Sequence, residues 1–343
     1  MKIILRTFCV LLLSSAVSSS VFAKGYTLVA ISKTDHTLVF VNPGTLEILG
    51  KAAVGNDPHE VVVSSDGKHA YVSNTGSGKF HEINVIDIAS KKALASIDTG
   101  AMMGPHGMSF LNSKLWFTAE GAKSLGRIDV NTGKIDLILG VGQNRTHMMQ
   151  VSADEKQVYA TNVDSNTVSI FDNLMLPPPI PPIGAPLPGA KPQMGWLQTV
   201  IPVGKGSEGF DITPDRKELW TTDAHTGTIS VIDIASKKVV KTVDTKTLGI
   251  SRIKFTADGK RALISSLRTG DLLIYDVAKK TEIKKLNLGK GAAHILITPD
   301  GTRAFISCTP AGYIAIVDLN TLTLVKNFEI GPRPDGMDWA PEL

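Results

Sequence analysis

The stretch that decides the fold is residues 57–74, which read DPHEVVVSSDGKHAYVSN. Two short apolar runs flank the turn Asp66-Gly67, and a third run follows at residues 83–88. Similar stretches recur along the chain, most of them 42 to 44 residues apart. The turn or its equivalent lies at Asp66, Asn112-Ser113, Asp154, Asp215, Asp258 and Asp300. Four short strand-like runs at this period are typical of the blades of a β-propeller.

Six copies of the repeat can be read in order, and a seventh is divided between the two ends of the chain. Residues 26–55 contain three strand-like runs but lack the first one, and residues 332–339, PRPDGMDW, are similar to that missing run. A blade built from both termini would close the ring and leave no free sheet edge. The sequence therefore predicts an all-β fold, a single seven-bladed β-propeller over residues 24–343. Its complete copies cover residues 56–99, 100–141, 143–203, 205–245, 246–288 and 290–330.

A four-residue pattern ends the second strand of several copies. It reads YVSN at 71–74, YATN at 159–162 and WTTD at 220–223, and a run of the Ser/Thr-Val-Ile-Asp kind follows. These motifs resemble the YVTN-type bacterial β-propeller repeat, and the resemblance covers essentially all of residues 24–343. It implies a periplasmic or cell-surface protein, and it implies no particular activity.

The first 23 residues have the features of a bacterial export signal. Lys2 and Arg6 form a basic start, residues 8–17 an apolar centre, and Val21-Phe22-Ala23 a small-residue cleavage site. The apolar centre is too short to span a bilayer. We therefore expect a cleaved signal over residues 1–23, and a periplasmic or secreted protein that is monomeric and has no membrane span.

Composition excludes some partners and some ways of stabilising the fold. Residues 24–343 contain 34 basic and 32 acidic side chains, so the charge balance indicates no nucleic-acid partner. Cys308 is the single cysteine after residue 23, so no internal disulfide can form. It occupies a strand-end position, and we expect a buried, unreactive side chain there.

A proline-rich insert interrupts the third copy between its third and fourth strands. Eight prolines fall between Pro177 and Pro192. Such a density favours polyproline II conformation over strand. We assign the insert to residues 173–198 and expect a stiff surface loop, with a ligand for a partner's aromatic groove as the alternative.

Histidines concentrate where the innermost strand of each blade would begin, at the end of the propeller that we call the top. The first residue after the opening position of this strand reads, in blade order, His59, His106, His147, Glu208, Ser251, Ala293 and Asp335. The next residue adds Arg252 and His294. His36, His81 and His225 fall in loops expected at the same end, and His69 is expected at the opposite end. Convergent polar groups of this kind are typical of a binding site. The predicted ligand-binding residues are His59, His106, His147, Glu208, Arg252, His294 and Asp335.

The three histidines of successive blades also form a candidate metal site. His59, His106 and His147 could supply three imidazole ligands for copper or another transition metal. Nearby methionines, which suit a soft ion such as copper, strengthen this prediction. They are Met102, Met103, Met108, Met148 and Met149. The alternative is an unmetallated polar pocket or a docking rim for a partner.

Two kinds of function are compatible with these features. The first is a non-catalytic binding or interaction protein of the cell envelope, which holds an unidentified protein or small molecule at the top of the channel. The second is an enzyme at the same place. It would be either a metal-dependent oxidoreductase or a lactonase or lyase that uses His147, Glu208, Arg252 and His294. The sequence contains no Gly-x-Ser-x-Gly nucleophile elbow and no Cys-x-x-Cys-His haem motif to favour the enzyme.

Overall fold

The computed structural model describes residues 25–178 and 189–342. The predicted export signal, residues 1–23, and the central part of the proline-rich insert lie outside these ranges. The described residues form seven antiparallel sheets arranged as a seven-bladed β-propeller, as the repeat predicts. Within the described ranges, no helix is long and apolar enough to cross a membrane.

We number the blades 1 to 6 in chain order and call the sheet built from both termini blade 7. Each blade begins with its innermost strand. Blade 7 consists of β29 (Pro334–Pro341), β1 (Tyr26–Ser32), β2 (Thr37–Val41) and β3 (Ile48–Ala53), and blade 1 of β4 (Pro58–Val63), β5 (His69–Asn74), β6 (Glu82–Asp87), β7 (Lys92–Ala93) and β8 (Ile97–Asp98). Blade 2 consists of β9 (Pro105–Leu111), β10 (Lys114–Ala119), β11 (Ser124–Asp129) and β12 (Lys134–Gly140). Blade 3 consists of β13 (Thr146–Val151), β14 (Gln157–Asn162), β15 (Thr167–Leu176) and β16 (Gln193–Pro202).

Blades 4 to 6 have the same plan of four strands. Blade 4 consists of β17 (Ser207–Ile212), β18 (Glu218–Asp223), β19 (Thr228–Asp233) and β20 (Lys238–Asp244). Blade 5 consists of β21 (Ile250–Phe255), β22 (Arg261–Ser266), β23 (Asp271–Asp276) and β24 (Thr281–Asn287). Blade 6 consists of β25 (Ala292–Ile297), β26 (Arg303–Cys308), β27 (Tyr313–Asp318) and β28 (Thr323–Phe328). Two short 3₁₀ helices, Gly76–Gly78 and Thr309–Ala311, follow the second strands of blades 1 and 6.

The ring is closed as predicted, by the C-terminal strand β29 beside the N-terminal strand β1. Leu28 pairs with Trp339, and Ala30 pairs with Met337. The Trp339 indole donates a hydrogen bond to the Ile297 carbonyl at 2.8 Å, and its ring packs edge-on against Phe305 with 5.4 Å between centroids. The last strand therefore joins blade 7 to blade 6 as well as completing its own sheet.

The turn aspartates have the same local role in five blades. In each, a carboxylate oxygen accepts a hydrogen bond of 2.6 to 2.7 Å from a hydroxyl two residues earlier. In the degenerate copy, Asn112 and Ser113 instead both adopt left-handed φ angles of 50° and 58°, as a two-residue hairpin requires. Two different turn chemistries thus connect the same pair of strands.

The polar residues of the YVTN-like pattern join neighbouring strands and blades. At its third position, the hydroxyls of Thr161 and Thr222 donate to backbone carbonyls of the next blade at 2.9 Å. Thr118, at the equivalent position of blade 2, does the same at 2.8 Å. At its fourth position, Asn162 donates its side-chain amide to the Ser169 hydroxyl on the third strand at 3.0 Å. The pattern therefore has a structural role in this chain. Cys308 occupies the same fourth position and is fully buried, and burial raises the pKa of its thiol to about 12, in agreement with an unreactive side chain.

The proline-rich insert is shorter than predicted, because both ends of the 173–198 segment are strand. The outer pair β15 and β16 continues past the usual strand length to the pair Leu176 and Gln193. Prolines occur only from Pro177 to Pro192, so residues 173–176 and 193–198 keep their backbone donors and can pair. Blade 3 therefore carries a β-hairpin that is longer than those of its neighbours.

Candidate functional site

A ring of seven β-bulges surrounds the top of the channel. In every blade the pairing register between the first and second strands shifts directly after the opening residue of the first strand. At this point an advance of three residues along the first strand pairs with an advance of two residues along the second. A bulge inserts an extra residue and changes the direction of the side chains near it. Two consecutive residues of each blade, the first and second bulge positions, therefore lie at the channel mouth.

All seven predicted site residues occupy these bulges. The first bulge positions are His59, His106, His147, Glu208, Ser251, Ala293 and Asp335, and the second are Glu60, Gly107, Met148, Gly209, Arg252, His294 and Gly336. The glycines allow close contact between blades, since a Cβ at Gly107 would lie 2.5 Å from the His147 carbonyl oxygen. That carbonyl also accepts the inter-blade hydrogen bond from Thr118, so the YVTN-like pattern holds the site backbone in place.

The three histidines of blades 1 to 3 lie side by side. Ring centroids are 4.9 Å apart for His59 and His106 and 4.0 Å apart for His106 and His147. Both nitrogens of His59 are engaged, because Lys33 Nζ lies 2.7 Å from Nε2 and Thr75 Oγ1 lies 2.5 Å from Nδ1. Since an ammonium can only donate, Nε2 accepts and Nδ1 carries the proton.

His106 is the least satisfied of the three. Its side chain is 3% exposed, and within the described ranges its Nδ1 atom has no hydrogen-bond partner. Burial lowers the pKa of His106 well below its usual value, and the neighbouring His147 and His59 act in the same direction. The ring is therefore a neutral imidazole with a free nitrogen.

His147 lies between two carboxylates. Glu120 Oε1 is 2.7 Å from Nδ1 and Glu208 Oε1 is 3.1 Å from Nε2, the second contact being an ion pair without good hydrogen-bond angles. Burial lowers the pKa of His147, but the charge of Glu208 and the hydrogen bond to Glu120 outweigh it, and the net pKa is raised. Burial would raise the pKa of Glu208, yet His147 and Arg252 hold it well below its usual range.

An ion pair spans the channel beneath these histidines. Arg252 Nη2 of blade 5 lies 2.9 Å from Glu60 Oε1 of blade 1, and Arg252 Nη1 lies 3.6 Å from Glu208 Oε1. His294 Nδ1 of blade 6 lies 3.2 Å from the other Glu60 oxygen. Burial would raise the pKa of Glu60, but Arg252 and His294 hold it well below its usual range. Four of the predicted residues thus belong to one charged network.

The space on either side of this network has two different characters. A cavity of about 320 Å³, the lower cavity, has Glu60, Arg252 and His294 among its lining residues together with inner-strand residues such as Val62 and Phe210. A more open pocket of about 610 Å³, the upper pocket, is polar. Its lining includes Lys33, Asp57, His59, Thr75, His106, Glu120, Asn144, Arg145, Asp164 and Arg333.

The metal ligands suggested by geometry differ from the predicted ones. His106, Glu120 and His147 each offer an atom within 4.8 Å of the others. His59, predicted as the third ligand, is occupied by Lys33 and Thr75 instead.

The nearby methionines do not form a soft-ligand set either. Met102 and Met108 pack in the apolar cluster between blades 1 and 2, Met149 and Met148 pack in the next two clusters, and Met103 is exposed.

Sequence reasoning missed Lys33, Glu60 and Glu120. Lys33, Thr75 and Glu120 share one position, the residue that follows the second strand in blades 7, 1 and 2. Glu60 shares the second bulge position with Arg252 and His294. Reading those two repeat positions around the ring would have found all three.

The remaining predicted site residue and the other histidines lie around this centre. Asp335 Oδ2 makes an ion pair with Lys33 at 3.2 Å, which connects blade 7 to the site. His36 contacts the Gly55 carbonyl and His81 contacts Asp98, both on exposed loops. His225 follows β18, and His69 begins β5 at the opposite end.

Comparison with known proteins supports the architecture and leaves the activity open. No protein-family model matches the sequence, and no curated protein matches it. A functionally unknown protein from Desulfotomaculum acetoxidans aligns with a TM-score of 0.72 and 12% identity, covering 92% of this chain and 98% of that one. A putative 6-phosphogluconolactonase from Bacteroides fragilis aligns with a TM-score of 0.72 and 17% identity, over 94% of this chain and 99% of that one. Hydrazine synthase from Kuenenia stuttgartiensis aligns with a TM-score of 0.70 and 17% identity, over 87% of this chain and 93% of that one. At these identities the likeness shows the seven-bladed fold alone, and these proteins differ in function.

Proposed function

We propose that the protein is an exported binding protein of the bacterial cell envelope, and that its upper pocket binds a small molecule carrying a carboxylate or phosphate group. The observation that carries this proposal is the ring of bulges. It gathers titratable side chains from all seven blades at one end of the channel, where the Arg252–Glu60 ion pair spans the space below the pocket. Binding sites of propellers and other rigid scaffolds are built by loops and strand ends of this kind.

The expected chemistry of the ligand follows from two arginines at the rim. Arg333 is exposed and makes no ion pair with any described residue. Arg145 is 44% exposed and approaches Glu120 and Asp164 only at 3.8 and 4.0 Å. Planar guanidinium groups bind carboxylates and phosphates in a bidentate manner; Arg333 is free to do so, and Arg145 is held only by two long ion pairs.

Binding is favoured over catalysis by His147, Glu208, Arg252 and His294 because all four side chains are already paired. His147 faces a carboxylate at each ring nitrogen, and Arg252 and Glu60 neutralise one another. A general base needs a free lone pair within reach of the substrate proton. A lactonase or lyase using His147, Glu208, Arg252 and His294 would have to break these ion pairs first, so we keep it as the second candidate.

The binding proposal can be tested by thermal shift and calorimetry with a panel of small carboxylates, sugar phosphates and matched neutral compounds. We expect a subset of the anions to raise the melting temperature, and the double variant Arg145→Gln/Arg333→Gln to weaken their binding at least about tenfold, as loss of a charge-assisted pair should. Lys241→Gln on the outer strand β20 is the matched control and should bind as the wild type does. Equal binding by the double variant, or stabilisation by neutral compounds only, would contradict the proposal.

Export is tested separately from binding. The full chain of 343 residues, produced in a Gram-negative host, should be recovered from the periplasmic fraction with Lys24 as its first residue. An uncleaved chain that remains in the cytoplasmic fraction would argue against this part of the proposal.

A further inference from the structure

We propose that His106, Glu120 and His147 bind a divalent transition-metal ion at the base of the upper pocket. The three side chains come from neighbouring elements of blades 2 and 3: β9, the residue after β10, and β13. One ligand atom of each lies within 4.8 Å of the others. The inference concerns the same pocket as the proposed function, but it does not require that a small anion binds there.

The spacing is compatible with a single ion. Metal–nitrogen and metal–oxygen bonds are about 2.0 to 2.2 Å long, so two ligand atoms on one tetrahedral ion are roughly 3.3 Å apart. Glu120 Oε1 and His147 Nδ1 are now 2.7 Å apart, and the ion would replace the proton between them. Modest side-chain rotations would bring His106 to the same centre.

An independent observation at His106 supports the site. Buried polar atoms are almost always satisfied in folded proteins. His106 is 97% buried, it lines the upper pocket, and its Nδ1 atom is without a partner among residues 25–178 and 189–342. A bound cation would supply the partner that the protein does not.

The surroundings of His147 resemble those of a metal ligand in the distance, though not in the hydrogen-bond angle, to an outer carboxylate. Metal-ligating histidines usually direct their other ring nitrogen to a carboxylate, which fixes the tautomer and strengthens the ligand. Glu208 Oε1 is 3.1 Å from His147 Nε2, on the far side of the ring from Glu120. Arg252 Nη1, at 3.6 Å, holds Glu208 in turn. The charged network beneath the pocket therefore supports the ligand from behind.

The donor set identifies the class of metal. Two imidazoles and one carboxylate suit zinc or iron(II), and such a set leaves coordination positions open for water or for an incoming anion. Open positions would face the upper pocket, since both His106 and Glu120 line it. Cys308 cannot contribute, because it lies fully buried in blade 6.

The test is calorimetric titration of the chelator-treated mature protein with Zn²⁺, with Co²⁺ absorption as a report on the ligands. We expect one equivalent of Zn²⁺ to bind and visible Co²⁺ bands of a four- or five-coordinate ion to appear. His106→Gln and Glu120→Gln should each weaken binding by roughly 100-fold or more, beyond the loss of an outer partner. His81→Gln, which removes an exposed histidine from the same end of the propeller, is the matched control.

Each outcome decides the inference. The assignment is overturned by wild-type protein that binds no Zn²⁺, by binding that both ligand variants retain, or by binding that His81→Gln abolishes. This ligand set would also be overturned if His59→Gln lowered the Zn²⁺ affinity as much as His106→Gln does. The Glu120 side chain is less buried than that of His106. Glu120→Gln therefore keeps the test valid if His106→Gln does not fold. If the protein binds no Zn²⁺ but still binds anions after chelator treatment, the metal inference fails and the proposed function stands.

Discussion

Replacement of Asp223 by asparagine should stabilise the protein at neutral pH. Asp223 ends β18 in blade 4 and is fully buried. Its Oδ2 atom accepts hydrogen bonds from Ser230 at 2.8 Å and Thr228 at 3.0 Å, whereas Oδ1 has no partner among the described residues. Burial raises the pKa of Asp223 to about 6. Its equivalent in blade 3 is Asn162, whose amide donates to the corresponding hydroxyls.

The magnitude follows from the pKa difference between the folded and unfolded states. The pKa rises from 3.8 to about 6 on folding, and one unit corresponds to about 1.4 kcal/mol. Because the folded pKa is the higher one, ionisation of Asp223 disfavours the fold. The cost appears as the pH rises from about 4 to about 6, and it is then constant at up to roughly 3 kcal/mol. An asparagine side chain at this position cannot ionise, so the variant should avoid this cost.

Urea denaturation of the wild type and Asp223→Asn at about pH 4.5 and about pH 7.5 measures the effect. The difference in favour of the variant should be clearly larger at the higher pH. Asp233→Asn is the matched control, and it should lower stability at the higher pH instead of raising it. Hydrogen bonds from Ser236 lower the pKa of Asp233 and stabilise its ionised form. A variant that is less stable than the wild type at neutral pH, or a difference that shrinks with rising pH, would refute the reasoning.

Three further predictions concern closure, the hairpin and the charged network. Deletion from Pro332 onward removes β29 and exposes an edge of β1, so it should cause aggregation or a large fall in melting temperature, and unchanged melting would disprove the closure. Replacement of residues 177–192 by Asn-Gly should join β15 to β16 with little change in the circular dichroism spectrum or melting temperature, and unfolding would show that the segment packs on a blade. Arg252→Met should cost about 3 to 5 kcal/mol in urea unfolding, because it leaves Glu60 buried without its arginine partner. Adding Glu60→Gln should recover much of this loss. A double variant no more stable than Arg252→Met alone would contradict that account.

The fold could be predicted because each blade repeats its own turn and strand pattern. The period fixed the architecture, and the missing first strand near Tyr26 with its counterpart at Trp339 indicated how the ring closes. The long outer hairpin of blade 3 was not predicted, because its apolar strand extensions were assigned to the proline-rich insert that they flank.

The candidate site could be predicted only in part. His59, His106 and His147 stood out because they occupy one repeat position in three successive blades. Glu60 did not, although Arg252 and His294 at the same repeat position did, because His59 already represented blade 1 and consecutive side chains of a regular strand point to opposite faces. The partner of Arg252 depends on which blades face each other across the channel. The distance between Arg252 and Glu60 depends on how the ring closes, and no single repeat determines it.

The central claim is that the upper pocket is where this protein binds its ligand. A crystal structure of the protein purified from its native compartment, with metal quantified in the same sample, tests the claim most directly. We predict density for a small anionic molecule between Arg145 and Arg333, above His106 and Glu120. A ligand bound instead in the lower cavity or against the blade 3 hairpin, with only water in the upper pocket, would contradict it.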